Sequence, residues 1–231
     1  MATATPQIVD DVHAGPHHPS HLQHHFVSSQ QQFEASKLGI WLFLMTEILL
    51  FSGLFVAYTV FRTWYPESFD AASATLDASL GGLNTIVLLA SSFTVALSIH
   101  MAQRDNQRAV FINLVITVIL GAAFMVIKGI EYTAKFEGGA YPGGFFDPHG
   151  HHYGHLANVP YAAQFFSVYF LMTGLHGVHV LVGMGIITWM AIRTHRGEFS
   201  SSYYTPIEIT GLYWHLVDII WIFLFPLLYL I

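Results

Sequence analysis

The chain has 231 residues, of which 54% are hydrophobic and only 10% charged, with a mean hydropathy of +0.52. A water-exposed globular surface needs about a quarter of its residues charged, so a soluble domain is excluded, and the balance of −6 with no basic cluster argues against nucleic acid as a partner. The sequence contains no cysteine, which rules out disulfides, thiolate metal sites and cysteine nucleophiles.

Residues 1–36 are polar and rich in His, Gln, Ser and Pro, and read as a disordered tail. Six of the fifteen histidines fall between His13 and His25. Composition favours a solvated low-complexity extension over a metal-binding one. Asp10 and Asp11 stand where a secretory signal would carry basic residues, so the first apolar run is expected to act as the insertion signal.

Five apolar runs follow, at roughly 38–61, 81–101, 110–132, 162–193 and 206–231, each long enough for the ~20 residues that a membrane span requires. The expected fold is an all-α integral membrane bundle of five transmembrane helices occupying 37–231. The connections at 66–77 and 104–108 are polar. The segment 137–160 is the longest loop, rich in Gly and Pro, and carries the histidines of 149–155. A solvated loop is favoured there over a metal site, because no rigid element fixes ligand geometry. Thr205, Pro206 and Glu208 give a start signal for the last helix, with Thr205 as its cap. Pro226 marks a bend or the fraying end. Gly53 with Ala57, and Thr173 with Gly177, are spaced for close helix packing.

Lys37, Arg104, Arg108, Arg193 and Arg196 lie on the side of the N-terminus, against Arg62, Lys128 and Lys135 on the other. The positive-inside bias therefore predicts a cytoplasmic N-terminus and an external C-terminus.

Charged groups within hydrocarbon cost about 2.5–3.5 kcal/mol each on insertion scales, yet this chain keeps Glu47, Lys128, Glu131, His176, His179, His215 and Asp218 inside its apolar runs. His176 and His179 share one helical face, as do His215 and Asp218, with Glu208 seven residues earlier on the same stripe. Lys128 and Glu131, three apart, can neutralise each other. Glu47, His215 and Asp218 fall at similar depth, which allows a polar layer shared among the first, fourth and fifth spans. Three readings stand side by side: hydrogen-bonding glue between helices, proton or ion handling, and ligation of haem by a pair such as His176 and His215.

Five segments resemble the subunit III family of haem–copper respiratory oxidases: 39–53 (GIWLFLMTEILLFSG), 83–92 (LNTIVLLASS), 128–132 (KGIEY), 173–180 (TGLHGVHV) and 213–221 (YWHLVDIIW). The resemblance covers about 37–231 and is to the short bacterial members, which lack the first two of seven helices. It implies a subunit of the cytoplasmic (inner) membrane of a bacterium with no catalytic residue, metal or cofactor of its own. The haems and copper would lie in partner subunits I and II, with a small subunit IV as a further neighbour and cytochrome c or quinol as electron donor. It also implies bound phospholipid, with Arg193 as a candidate headgroup contact, and support of proton uptake into subunit I. The expected site is a buried hydrogen-bonded layer of Glu47, His176, His215 and Asp218, with His179, Lys128, Glu131 and Glu208 as further motif positions. The rivals are the equivalent subunit of a quinol oxidase or nitric oxide reductase, a membrane transporter or channel, and a free-standing b-type cytochrome.

Overall fold

The computed structural model describes residues 23, 26–147 and 153–230, and the histidines of the tail (13–25) and His149, His151 and His152 of the long loop lie outside them. Among the described residues the regular elements are helices: α1 (Ser29–Trp64), α2 (Pro66–Ser73), α3 (Ala78–Gln103), α4 (Gln107–Glu137), α5 (Ala162–His195) and α6 (Thr205–Tyr229), with short 3₁₀ turns at Gly143–Phe145 and Gly154–Leu156. All but α2 are long and apolar enough to cross a membrane.

The apolar runs set these helices because hydrocarbon offers no partner to an unpaired backbone group, so each span must close its own hydrogen bonds. Hydroxyls inside the spans obey the same constraint. Ser52 donates to the Ile48 carbonyl, Thr59 to Phe55, and Ser98 to Val95, each within its own helix. Helix starts follow side-chain caps: Ser28 accepts from the Gln31 N–H, Asp77 from Ser79 and Leu80, and Asn106 from Ala109.

α3, α4, α5 and α6 close a ring in which each packs on the next and α6 returns to α3. α1 lies outside this ring against α6 and α5. Burial follows that order: 56% of the most apolar stretch of α6 is buried, against 11% of that of α1. α2 rests on α5 at the end of the bundle where α1 and α4 finish, and Ser68 donates to the Pro160 carbonyl there.

Three expectations change. First, α1 begins at Ser29 rather than near 38, so residues 29–36 of the expected tail are helical. Hydropathy detects only the apolar part of a helix, whereas the Ser28 cap sets its true start. Secondly, the connection after α1 contains α2, which has Pro66 in its first turn followed by Glu67. Eight polar-to-mixed residues give no apolar run to detect. Thirdly, Thr205 lies inside α6 and makes no cap; Tyr204 precedes the helix without a side-chain cap bond. Glu208 instead pairs with Lys37 of α1 at 3.1 Å.

Close approach is carried by glycines other than those the spacing suggested. A Cβ at Gly53 would meet nothing within 4 Å, and one at Gly177 only the Met125 methyl at 3.9 Å. A Cβ at Gly183 would lie 2.8 Å from the Trp214 indole, and one at Gly211 2.7 Å from Ile99. These two positions let α6 sit against α5 and α3.

Candidate functional site

The intramembrane polar residues fall into three groups set at different seams of the bundle. At the seam of α1 and α5, Glu47 Oε2 lies 2.8 Å from His179 Nε2. The other ring nitrogen, Nδ1, is 2.8 Å from the Leu175 carbonyl of its own helix. A carbonyl only accepts, so Nδ1 carries a proton, and the Glu47–His179 bond holds one proton between its two atoms. The pair is neutral as a unit whichever atom holds that proton. Phe51 packs edge-on against the imidazole at 5.2 Å, and Tyr213 of α6 donates to the His179 carbonyl at 3.1 Å. Three helices therefore meet on this histidine.

The second group lies near the C-terminal end of α4. Lys128 Nζ donates to Glu131 Oε2 at 2.8 Å, to Tyr229 at 2.8 Å and to Tyr169 at 3.1 Å. Tyr169 and Tyr229 each donate in turn to Glu131 Oε1, at 2.8 and 2.6 Å. Lys135 Nζ stands 3.3 Å from that same oxygen. All three ionic groups are buried, and one carboxylate thus joins α4, α5 and α6. Two cations to one anion leave a local excess of positive charge, which Asp77 at the start of α3 opposes through its interaction with Lys135. In the loop beside this group, burial raises the Tyr153 hydroxyl above its ordinary pKa, and Glu131 adds to the shift.

The third group lies between α3 and α6. Ser92 Oγ is 2.6 Å from His215 Nδ1, and Asp218 is buried three residues further along α6. Trp214 and Trp221 of α6 donate to Ser91 and Thr85 of α3, each at 3.0 Å, along the same interface.

His176 is fully buried, with 0% exposure, between the rings of Phe124 and Trp221, 5.6 and 5.2 Å away. Among the described residues neither of its ring nitrogens has a hydrogen-bond partner. Glu47, His176, His215 and Asp218 do not join in one network: Glu47 is taken by His179, His215 by Ser92, and His176 packs as an aromatic ring. The haem pairing of His176 with His215 finds the two in different surroundings, one sealed between rings and the other on a groove beside α1. Arg193 lies at the opposite end of α5 from Tyr169, bonded to Glu198 at 2.6 Å and flanked by the rings of Trp189 and Phe199.

Sequence reasoning missed Lys135, Tyr169, Tyr229 and Ser92. The four-residue step from Glu131 was a signal for Lys135. The tyrosines gave none, because aromatic residues near the ends of membrane helices are common.

Comparison with known proteins places this geometry in a family. The model of the family described as cytochrome c oxidase subunit III matches residues 18–161 and 157–231. Quinol oxidase subunit 3 of Bacillus subtilis (strain 168) is 32% identical over 198 residues, covering 84% of this chain and 85% of that protein. Cytochrome c oxidase subunit 3 of Thermostichus vulcanus is 31% identical over 195 residues, covering 84% and 86%. The probable cytochrome c oxidase subunit 3 of Nocardia farcinica (strain IFM 10152) is 29% identical over 194 residues, covering 84% and 87%.

Proposed function

This chain belongs to the cytochrome c oxidase subunit III family, and we propose that it serves a haem–copper oxidase as a stabilising subunit with no redox centre of its own. It is a multi-pass membrane protein of an oxidase complex. The haems and copper belong to partner subunits I and II, with a small subunit IV alongside, and cytochrome c or quinol supplies the electrons. The complex sits in the cytoplasmic membrane of a bacterium. In this reading Glu47, His179, His215 and Asp218 support the seat on subunit I and proton uptake there, and Arg193 meets a phospholipid headgroup.

The observation that carries the reading is the bonding of the charged groups to one another across helix seams, above all Glu47 to His179. Groups committed in this way hold helices together; they do not line a continuous aqueous path, as a transporter or channel would require. Removing this chain from the oxidase should therefore leave the haem spectrum of the complex unchanged but shorten the number of turnovers before inactivation. An altered haem spectrum, or an undiminished working life, would contradict the reading.

The basic residues at the α3–α4 turn and after α5 support a cytoplasmic N-terminus. Because the chain lacks cysteine, single cysteines report topology directly. Arg104→Cys should react with a membrane-impermeant maleimide only after the cells are opened, and Glu137→Cys in intact spheroplasts. The reverse pattern would invert the topology.

A further inference from the structure

A pocket opens at the end of the bundle where α4 finishes, between α2, α3, α4 and the loop that carries Tyr153. Its wall includes Asp77, Leu80, Ile130, Glu131, Lys135 and Tyr153. Ile130 and Ala134 also line a shallow groove that runs along α4 from Glu137 past Thr133 and Gly129 to Val126. Val126 and Ile130 are exposed on this side of α4, and a Cβ at Gly129 would meet nothing within 4 Å. The Thr133 hydroxyl is bonded to the Gly129 carbonyl, so the groove below Glu137 offers only apolar surface. The eleven steps from Glu137 to Val126 span about 16 Å, half of the ~30 Å of a bilayer's hydrocarbon. A polar pocket at the end of the span thus continues into an apolar groove one leaflet long.

The charges on the pocket wall are not equally available. Glu131 is spent: Oε2 accepts from Lys128, and Oε1 accepts from Tyr169 and Tyr229 and faces Lys135 at 3.3 Å. Lys128 balances its charge. That leaves one cation, Lys135, and one anion, Asp77, facing the pocket. The Lys135 ammonium carries three protons. Among the described residues Glu131 Oε1 takes one, and the Tyr169 ring, 5.3 Å from Nζ, faces another. The third remains for the pocket. Burial, with Glu131 nearby, keeps the Tyr153 hydroxyl protonated, which adds a second donor from the loop. Asp77 caps α3 through Oδ1 alone, bonded to the Ser79 and Leu80 N–H groups, and Oδ2 is left as an acceptor.

Donor and acceptor stand at different depths. Lys135 reaches back one turn along α4 to Glu131, towards the membrane centre, whereas Asp77 precedes the first residue of α3 at the membrane surface. An oxyanion is therefore favoured deep in the pocket and a cation at its rim. A phosphoethanolamine headgroup has this order, with the phosphate next to the glycerol and the ammonium beyond it. It is neutral overall, as the wall is. A phosphoglycerol headgroup brings no cation to Asp77, and a choline nitrogen has no N–H to donate.

We propose that this pocket binds a phospholipid with an ethanolamine headgroup, its phosphate on Lys135 and Tyr153, its ammonium on Asp77, and one acyl chain along the α4 groove to Val126. The site lies at the opposite end of the bundle from Arg193, and it rests on the helices spanning a membrane and not on the assignment of the chain to an oxidase.

The test is photolabelling of the chain, purified with its native partners into nanodiscs, by a phosphatidylethanolamine carrying a diazirine on its acyl chain, followed by peptide mapping. Label is expected in the α4 segment 126–134. Unlabelled phosphatidylethanolamine should displace it about fivefold better than phosphatidylcholine or phosphatidylglycerol, the margin that one hydrogen bond carries. Inorganic phosphate should not displace it. Asp77→Asn keeps a capping side chain but removes the charge, and should abolish the preference for ethanolamine. Lys135→Met should lower labelling about fivefold whichever headgroup the probe carries; if it prevents assembly, Asp77→Asn decides alone. The proposal is overturned by label absent from α4, by equal displacement with all three lipids, by displacement with inorganic phosphate, which would make the pocket a site for free anions, or by an ethanolamine preference that survives Asp77→Asn.

Discussion

Replacing Glu131 with alanine is expected to cost about 3–5 kcal/mol of fold stability, the range for breaking a buried ion pair from one side. The variant leaves the Lys128 and Lys135 ammonium groups buried beside each other, and strips Tyr169 and Tyr229 of their common acceptor. The cost arises from the stranded charges and not from the lost attraction alone. The triple variant Lys128→Met, Glu131→Leu, Lys135→Met removes the three buried charges at once and should therefore be milder than Glu131→Ala. Equilibrium unfolding in mixed micelles compares the two. A triple variant less stable than the single one would show that the network contributes net stability and would refute the stranded-charge account.

Glu47→Ala is expected to loosen α1 from the bundle, at a cost of about 1–3 kcal/mol for leaving His179 Nε2 unpaired. α1 is held to the ring by few polar contacts. Among the described residues these include, besides Glu47, Lys37 with Glu208 and the Tyr58 hydroxyl, which donates to the Leu227 carbonyl at 2.6 Å near Pro226. Losing one of them should raise hydrogen exchange in α1 selectively, leaving α3 and α4 protected. Glu47→Gln separates two accounts of the pair. With Nδ1 donating to Leu175, a neutral His179 offers Nε2 as an acceptor, and a glutamine amide can donate to it. Glu47→Gln should then keep α1 protected close to the wild-type level. If it behaves like Glu47→Ala, the bond depends on an ionised carboxylate and a cationic histidine instead.

The five spans were legible because hydrocarbon imposes one simple requirement, a long apolar run, and each run met it. The Lys128–Glu131 pair was legible for the same kind of reason: partners three residues apart on one helix must be neighbours. The partnership of Glu47 with His179 joins residues 132 apart in the chain, and no periodicity within either helix reveals which faces meet. Depth alone suggested one layer of Glu47, His176, His215 and Asp218. Helix rotation divides them among separate seams and turns His176 into a packing ring between Phe124 and Trp221. Ser92 illustrates the same limit from the other side. It ends one of the recognisable segments, yet a serine in a membrane helix usually bonds its own backbone, so nothing marked it as the partner of His215. Gly183 likewise acquires its meaning only from the Trp214 ring that lies across it.

The most direct test of the central claim is purification of native membranes in mild detergent through a tag on this chain, with a reduced-minus-oxidised spectrum and mass spectrometry of the co-purifying proteins. A stoichiometric haem–copper catalytic subunit with its haem bands, together with a haem-free spectrum for this chain after dissociation, is the predicted result. A chain that purifies without any haem protein under conditions that preserve membrane complexes, or that keeps a Soret band once separated, would contradict the account.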